Sequence, residues 1–579
     1  MGKVTNQDIA DAFSRIADLL DILDEDAFRI LSYRNVARAV GDSVEDVAQL
    51  VEAGRVTELP GVGKSSAQKI TQMVQAGKID LLEELSAKVP KGLAELLRVP
   101  GLGPKTVAKM WKQANITDME SLANAIDDGA IQRVDGMGPK KVRQIFESMQ
   151  FVTSSGKRTR INDAMQLAQR LIAVLEGVPG AQRVAPAGSL RRGRETVGDI
   201  DILCQCAEAG QAGEIIQAFT EARGAGVAKV LAAGGTKASV LLERNVQADL
   251  RVVGPESYGS ALQYFTGSKE HGVHLRELAV KKGWKLSEYG LFEGDKQLAG
   301  ADEEELYRAM GMPWIPPELR EDHGEIEAAL AGRLPKLVTL GQIHGDLHMH
   351  TTASDGRESI ETMIRACLER GYKYLAIADH SQSQVQANGL DPQRLAEHQK
   401  AVMAEASRFE GIKVYFSCEV DIFKDGSLDF PDKVLEILDF VVASPHSALQ
   451  MKREEATPRI IKAIENPFVR VIGHPSGRLI GTRPGMELNI DEIAAAASEH
   501  GVALEVNAHP ERLDLRDVHV RAAIDHGAKI IINTDSHNIP DLDNMQYGVI
   551  VARRGWATAN DVVNAQSAAK FDKWVKAGR

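Results

Sequence analysis

The chain is 579 residues long, enough for about three or four domains. Apolar residues make up 44% and charged residues 26%, an ordinary soluble composition, and no apolar run approaches the roughly 20 residues that span a bilayer. The net charge of -12 argues against a uniformly basic nucleic-acid binder, though not against local basic patches. The start, MGKVTNQDIADAF, lacks the apolar core of a signal peptide, and a cytoplasmic protein is expected. The four cysteines form no framework. Cys204 and Cys206 make a C-x-C without a second pair, a poor zinc signal, and are expected to be reduced core thiols.

Three copies of one short pattern come first: LPGVGKSSAQKI (59–70), VPGLGPKTVAKM (99–110) and VDGMGPKKVRQI (134–145). Each sets a hydrophobic residue near Gly-x-Gly and follows it with a lysine-bearing helical pattern. The glycines allow a tight turn and close backbone approach, and N–H groups at the next helix start can hold a phosphate oxygen. A single Gly-x-Gly is more often a plain helix–helix turn; three copies favour DNA. They resemble the helix-hairpin-helix motif, which grips DNA backbone without reading sequence. The resemblance implies DNA contacts from Gly61, Gly63, Gly101, Gly103, Gly136 and Gly138, with Lys105 and Lys140. Small helical modules are expected through residue 150.

A polar basic linker, TSSGKRTRIN (153–162), leads into a long helix and then strand-like runs to about residue 255. Within GSLRRGRETVGDIDIL (188–203), Asp199 and Asp201 alternate with Ile200 and Ile202, so both carboxylates share one strand face. Cys204 and Cys206 fall on the opposite, apolar face. Two aligned carboxylates need a cation, or one is protonated. Mg²⁺ there would bind a triphosphate, and Asp249 in VQADLRVV (246–253) supplies a third ligand and the group that draws the proton from an attacking 3′-hydroxyl. Upstream, Gly188 and Ser189 offer a turn, an N–H and a hydroxyl; Arg192 offers a fork for phosphate, and Gly198 belongs to the same nucleotide site. The bland alternative is a surface strand with solvated acids.

The segment YFTGSKEHGVHLRELAVKKGWKLSEYGLF (264–292) resembles the thumb-side nucleotide pocket of family X DNA polymerases, relatives of DNA polymerase beta. The resemblance implies that Tyr264 and Phe265 pack under the sugar, that Gly267 and Ser268 form the turn beside it, and that Arg276 governs the closed state. It departs at Gly272, where a polar residue often faces the incoming base, and at His274. FRILSYRNVARAV (28–40) and the first hairpin resemble the family's lyase-type domain. Tyr33 and Arg34 would then flank a 5′-phosphate, and Lys69 would be the Schiff-base lysine that removes deoxyribose phosphate. The prolines and mixed charges of MPWIPPELREDHGEI (312–326) read as an inter-domain connector.

After residue 340, short apolar runs recur with helical patterns between them, each run ending in His, Asp or Glu: DLHMH, YLAIADH, KVYFSCE, FVVASPH, VRVIGH, VALEVNAH and KIIINTDSH. This rhythm predicts a closed parallel sheet with its polar residues on one rim. His348, His350, Asp355, His380, Glu419, His446, His474, Asp535 and His537 would share one cup, suited to two or three Mn²⁺ or Zn²⁺ ions and to phosphoester hydrolysis. These residues resemble the ligand motifs of the PHP (polymerase and histidinol phosphatase) domain, which implies a (β/α)7 barrel and a trinuclear site. His509 stands where that family usually has Asn and is left out of the metal set; Asp346 and Asp379 are expected to orient neighbouring histidines.

The resemblances together imply a multidomain α+β and α/β protein. A lyase-like domain spans 1–80, helix-hairpin-helix fingers 81–152, a nucleotidyltransferase palm 153–260, a thumb 261–316, a linker 317–340 and a PHP barrel 341–579. The layout is that of bacterial family X DNA polymerases. A monomeric gap-filling polymerase of base excision repair is expected, using dNTPs on gapped or nicked DNA, with a 3′–5′ exonuclease in the barrel that also serves at abasic sites or 3′-phosphates. The rival readings are a DNA-end nuclease with a weak polymerase centre, a histidinol-phosphate-type phosphatase, and a non-catalytic barrel.

Overall fold

Up to residue 146 the described backbone is helix or turn, with no strand among the described residues. The computed structural model describes residues 4–577 except 5, 42, 44–46, 60, 98, 100–101, 140, 143–144 and 147–157. Contacts divide the chain into residues 1–156 and 157–579.

The three Gly-x-Gly segments of the first unit fold alike over their described residues. Val62, Leu102 and Met137, the residues between the glycines, are buried, and their N–H groups donate to Leu59, Val99 and Val134 carbonyls at 3.1, 2.9 and 3.0 Å. Gly61 and Gly136 take the left-handed φ values of 76° and 83° that the turn demands. Gly63 and Gly103 cap the helices Lys64–Ala76 and Pro104–Ala114. A Cβ on Gly63, Gly103 or Gly138 would meet nothing within 4 Å, so the helix starts stay open to an approaching group. Gly101 and Lys140, expected to contact DNA, lie outside the described residues. The helices bury two apolar clusters, one around Phe13, Leu20, Val36 and Ile70 and one around Leu93, Val107, Met110 and Leu122.

In the second unit a five-stranded sheet runs in the order Ala181–Pro186, Asp199–Cys206, Gln247–Val253, Lys237–Leu242, Val227–Ala233. Asp199–Cys206 lies parallel to Gln247–Val253, with Asp201 opposite Asp249. One face, bearing Ile200, Ile202, Cys204 and Cys206, packs on Leu167, Leu171 and Phe219 from the helices Ile161–Glu176 and Ala212–Thr220. All four cysteines are free and buried. On the other face, Leu203 packs on Tyr258, Ala261 and Leu262 of the helix Tyr258–Thr266.

The segment expected as a connector is no solvated linker. Arg320 is fully buried and its Nη1 donates to Glu303 Oε1 at 2.7 Å. Glu303 also takes both Nη groups of Arg191 at 2.8 Å each. Burial works against ionisation of Glu303, but Arg320 and Arg191 hold its carboxyl well below its usual range. Glu325, buried, meets His271 Nδ1 at 2.6 Å, while Leu319 and Ile326 join the thumb-side core.

Seven parallel strands follow in sequential order, from Gly345–Asp346 to Lys529–Asn533. The first strand is two residues long, and side chains complete the closure between first and last. Leu347 N–H donates to Asn533 Oδ1 at 3.1 Å, Thr534 N–H to Asp346 Oδ1 at 3.2 Å, and Met349 bridges Ser536. Asp346 therefore stitches the barrel seam rather than orienting a histidine ring, a correction to the sequence expectation. The N-terminal mouth is plugged by the helix Ala568–Lys576. Its buried Phe571 stacks on Tyr374 at 4.4 Å and meets Tyr415 and Phe440 edge-on at 5.3 and 6.5 Å. Replacing Phe571 by Ala should cost about 3–5 kcal/mol of barrel stability, read as a lowered thermal unfolding midpoint, with Phe571→Leu losing less.

Candidate metal centres

In the palm sheet, Asp199, Asp201 and Asp249 each offer an oxygen within 4.8 Å of the others. Strand parity and parallel pairing bring them together. Gln247 Nε2 donates to both Asp249 oxygens at 3.1 and 3.0 Å, an orienting contact the sequence reading missed. Burial, with Asp199 and Asp249 beside it, pushes the Asp201 carboxyl up to about 7. A divalent cation relieves that repulsion, so the donor set fits the expected Mg²⁺. Gly188 sits at φ 58°, and a Cβ there would collide with Asp201 Oδ2; only glycine lets the turn close over the carboxylate.

Arg192 lies at the end of that turn, but its guanidinium is already engaged. Nε donates to Glu321 Oε1 at 3.1 Å and Nη1 to the Thr266 carbonyl at 2.5 Å. Tyr264, 41% exposed, meets Phe265 edge-on at 5.1 Å. Ser268 caps the helix Lys269–Lys281 through His271 N–H. Arg276 lies 5.9 Å from the Tyr264 ring and 3.5 Å from where a Cβ on Gly272 would stand, so it neighbours both. His274 pairs with Asp322 at 2.8 Å, and that hydrogen bond raises its imidazole above the usual value. Ser189 is half-buried in the turn, and Gly198 directly precedes the acidic strand.

The barrel's C-terminal rim gathers the second centre. Glu419, fully buried, approaches His474 Nε2 at 2.8 Å, His380 Nδ1 at 2.9 Å, His446 Nε2 and His348 Nε2 at 3.3 Å each, and His350 Nε2 at 3.6 Å. Asp535 Oδ1 lies 3.1 Å from His350 Nε2. Asp355 Oδ2 lies 3.3 Å from His537 Nε2 and 3.6 Å from His380 Nε2. His348 Nε2, His380 Nδ1 and Glu419 Oε2, which lie together, and His350 Nδ1, which faces Asp355 at 3.8 Å, are buried yet have no hydrogen-bond partner. Atoms that converge without donating to each other are what a metal site requires, and the set fits two or three Mn²⁺ or Zn²⁺ ions. His474 and Asp535 also hold left-handed backbone at φ 26° and 55°, unfavourable for non-glycine residues outside a constrained site.

The carboxylates that orient these imidazoles were not the ones expected. Glu505 Oε1 meets His348 Nδ1 at 2.8 Å and its other oxygen accepts from His474 N–H at 2.7 Å. Asp421 Oδ1 meets His446 Nδ1 at 2.6 Å. The two ring contacts fix the tautomers of His348 and His446 that leave Nε2 facing the cup. Asp379 instead bonds His398 Nε2 at 2.8 Å, Thr351 and Ser354, bracing the loop behind the ligands. Asp421 follows Glu419 by two residues on one strand, a parity signal that was available; Glu505 and His398 carried none. His509 accepts from Glu511 N–H at 3.3 Å and belongs to none of the potential metal groups among the described residues. Arg512 Nε lies 3.5 Å from Asp535 Oδ2, adding positive charge at the rim.

In the first unit, Tyr33 is buried against Phe13, and Lys69 Nζ lies 5.8 Å from its ring centroid while donating to Ser65 Oγ at 2.8 Å. Arg34 is turned to Asp21 at 3.0 Å and Asp18 at 3.5 Å, so the expected phosphate contact requires that pair to open.

Comparison with known proteins matches four segments of the chain. A helix-hairpin-helix domain matches residues 4–79 and a SAM-like helix-hairpin-helix tandem 93–150. The DNA polymerase beta thumb matches 261–321 and the PHP domain 346–509. DNA polymerase lambda of Rattus norvegicus is 25% identical over 331 residues, 51% of this chain and 53% of that one. A probable phosphatase of Caldicellulosiruptor bescii is 29% identical over 166 residues, 28% of this chain and 64% of its own. The DNA polymerase/3'-5' exonuclease PolX of Bacillus subtilis is 37% identical over 574 residues, covering 98% of this chain and 99% of its own. With that match running from end to end through polymerase-type and PHP-type parts in the same order, the chain belongs to the bacterial PolX family.

Proposed function

We propose that this chain fills short gaps in DNA by template-directed polymerisation and trims 3′ ends with a separate hydrolytic centre, in base excision repair. The observation that carries the reading is the presence in one chain of two distinct convergent clusters, Asp199–Asp201–Asp249 and the nine-residue cup around Glu419. Cations bound at the two centres would supply Lewis acidity toward the entering and leaving oxygens of a phosphoryl group. Asp199 and Asp201 hold the cations in the palm, with Mg²⁺ the expected ion. Asp249, steadied by Gln247, takes the proton of the primer 3′-hydroxyl. Gly188, Ser189, Gly198 and Arg192 receive the triphosphate, and Tyr264, Phe265, Gly267, Ser268 and Arg276 shape the sugar and base side. In the barrel the cup takes Mn²⁺ or Zn²⁺, and Arg512 draws the scissile phosphate to the rim.

The three hairpins would hold DNA backbone on both sides of a gap through Gly61, Gly63, Gly103, Lys105, Gly136 and Gly138, and through Gly101 and Lys140. The chain acts as a cytoplasmic monomer in this reading. The domain limits proposed are those read from the sequence, except that the buried contacts of Arg320 and Glu325 favour carrying the thumb to about residue 330. A second reading, an end-trimming nuclease with a feeble polymerase centre, draws support from Gly272, which offers no side chain at that helix position beside Arg276. Efficient one-nucleotide filling of a gap would exclude it.

Three outcomes test the proposal. On a gapped duplex with a 3′ label, Asp249→Ala should cut extension by roughly 10²–10³-fold or more while leaving shortening intact. Glu419→Gln should do the reverse. If either substitution removed both activities in a folded protein, the two-centre reading would fail. Elemental analysis after dialysis should find two or three Mn or Zn per chain, and His350→Ala should lower that number by at least one. Borohydride should trap wild-type protein, but not Lys69→Ala, on DNA bearing a 5′-deoxyribose phosphate; no adduct with either would remove Lys69 from the lyase role.

A further inference from the structure

The turn that precedes the palm carboxylates is held from the barrel side. Glu321 Oε1 is shared by three guanidinium groups: Arg192 Nε at 3.1 Å, Arg554 Nη1 at 3.0 Å and Arg194 Nη1 at 3.7 Å. Arg554 ends the barrel helix Met545–Arg554, and its side chain is only 4% exposed. The same Nη1 also donates to the Arg192 carbonyl at 2.7 Å, while Nε and Nη2 hold Asp517 Oδ2 at 2.9 and 2.7 Å. One turn earlier on that helix, Ile550 occupies the place a Cβ on Gly193 would need, at φ 67°. The barrel thus touches both backbone and charge partner of Arg192. Two of the five N–H donors of Arg192 are engaged, one with Glu321 and one with the Thr266 carbonyl next to Gly267.

A lone, half-buried carboxylate beside Arg192 would compete with any phosphate for it. Burial works to neutralise Glu321, but Arg192, Arg554 and Arg194 hold it ionised below its usual range. Its charge must therefore be divided if Arg192 is to serve a triphosphate. We propose that Arg554 is a positioning residue for the polymerase centre: by sharing Glu321 and holding the Arg192 carbonyl, the barrel lets Glu321 orient the Arg192 guanidinium without withdrawing it from the incoming nucleotide. The inference rests on the reading of Arg192 as a triphosphate ligand. It makes the hydrolase barrel a determinant of dNTP affinity, apart from its own metal cup.

The test uses the full chain, single-nucleotide insertion into a gapped duplex, and 3′ shortening with Mn²⁺ as the control. R554A should raise the dNTP KM about tenfold with kcat within about twofold of wild type and shortening unchanged. R554K, which keeps the charge, should raise KM less. Adding E321Q to R554A should return KM to within about twofold of E321Q alone, because the competing carboxylate is gone. An unchanged KM in R554A, or a double variant as impaired as R554A, overturns the coupling. Should R554A lose shortening as well, R554K decides: a KM rise of about threefold or more with shortening intact supports the coupling, and an unchanged KM overturns it. R192A separates the two layers. If R192A leaves KM unchanged, the phosphate role of Arg192 falls; if R192A raises it and R554A does not, the coupling alone falls.

Discussion

Glu419 is buried to zero exposure at the centre of five imidazoles, and the barrel is organised around the need to keep that carboxylate charged. An isolated carboxylate in such a place would be neutralised by protonation, because desolvation disfavours the charged form. Cations would remove the conflict, and the imidazoles would supply lone pairs to hold them, with Glu505 and Asp421 fixing the tautomers of His348 and His446. Parallel strands make this possible. They carry their C-terminal ends to one rim, where every strand can contribute a ligand, while Phe571 and the aromatic layer beneath close the other end. Asp201 in the palm is placed the opposite way: its two acidic neighbours add to burial and push its carboxyl up to about 7, whereas the imidazoles hold Glu419 well below its usual range.

Ion pairs shielded from solvent lock the polymerase part of the second unit and join it to the barrel. Glu303 holds Arg191 and Arg320 within the polymerase part, while Glu321 holds Arg192 and the barrel's Arg554, and the barrel's Arg478 reaches Glu195 at 2.7 Å. Arg160 and Glu511 add an exposed pair at the same junction. Such pairs contribute little net stability, since desolvation offsets their attraction, but they specify one docking geometry. Two arginines in the turn Gly188–Arg192 are set by these contacts, so the turn next to the acidic strand takes its shape from the thumb and the barrel together.

Much of the site was legible because its signals are local. Gly-x-Gly before a lysine-bearing helix, Asp-x-Asp on an apolar strand, and a His or acid ending each apolar run depend on neighbours one to four residues away. The structure brings all nine cup residues together and sets Asp199, Asp201 and Asp249 side by side. The missed residues have no such context. Glu505 sits in VALEVNAH like any strand polar residue, and His398 lies on a helix that faces the barrel. Asp346 and Asp379 adjoin histidines in sequence, yet strand direction sends their side chains to Thr534 and to Thr351, Ser354 and His398. The connector read from its prolines and charges hid two buried ionic groups whose partners are 17 and 54 residues away.

The sequence by itself determined which atoms are available and how each presents itself on its own element, because backbone periodicity and glycine freedom act over a few residues. Only the tertiary structure decided which buried group answers which. Arg192 is tied to Glu321 rather than waiting open, Arg34 to Asp21, and Glu505 rather than Asp346 to His348. The reason is that desolvation makes an unpartnered buried polar atom costly, so partners are chosen by proximity in space once the core has closed, and that proximity is not written in the spacing along the chain.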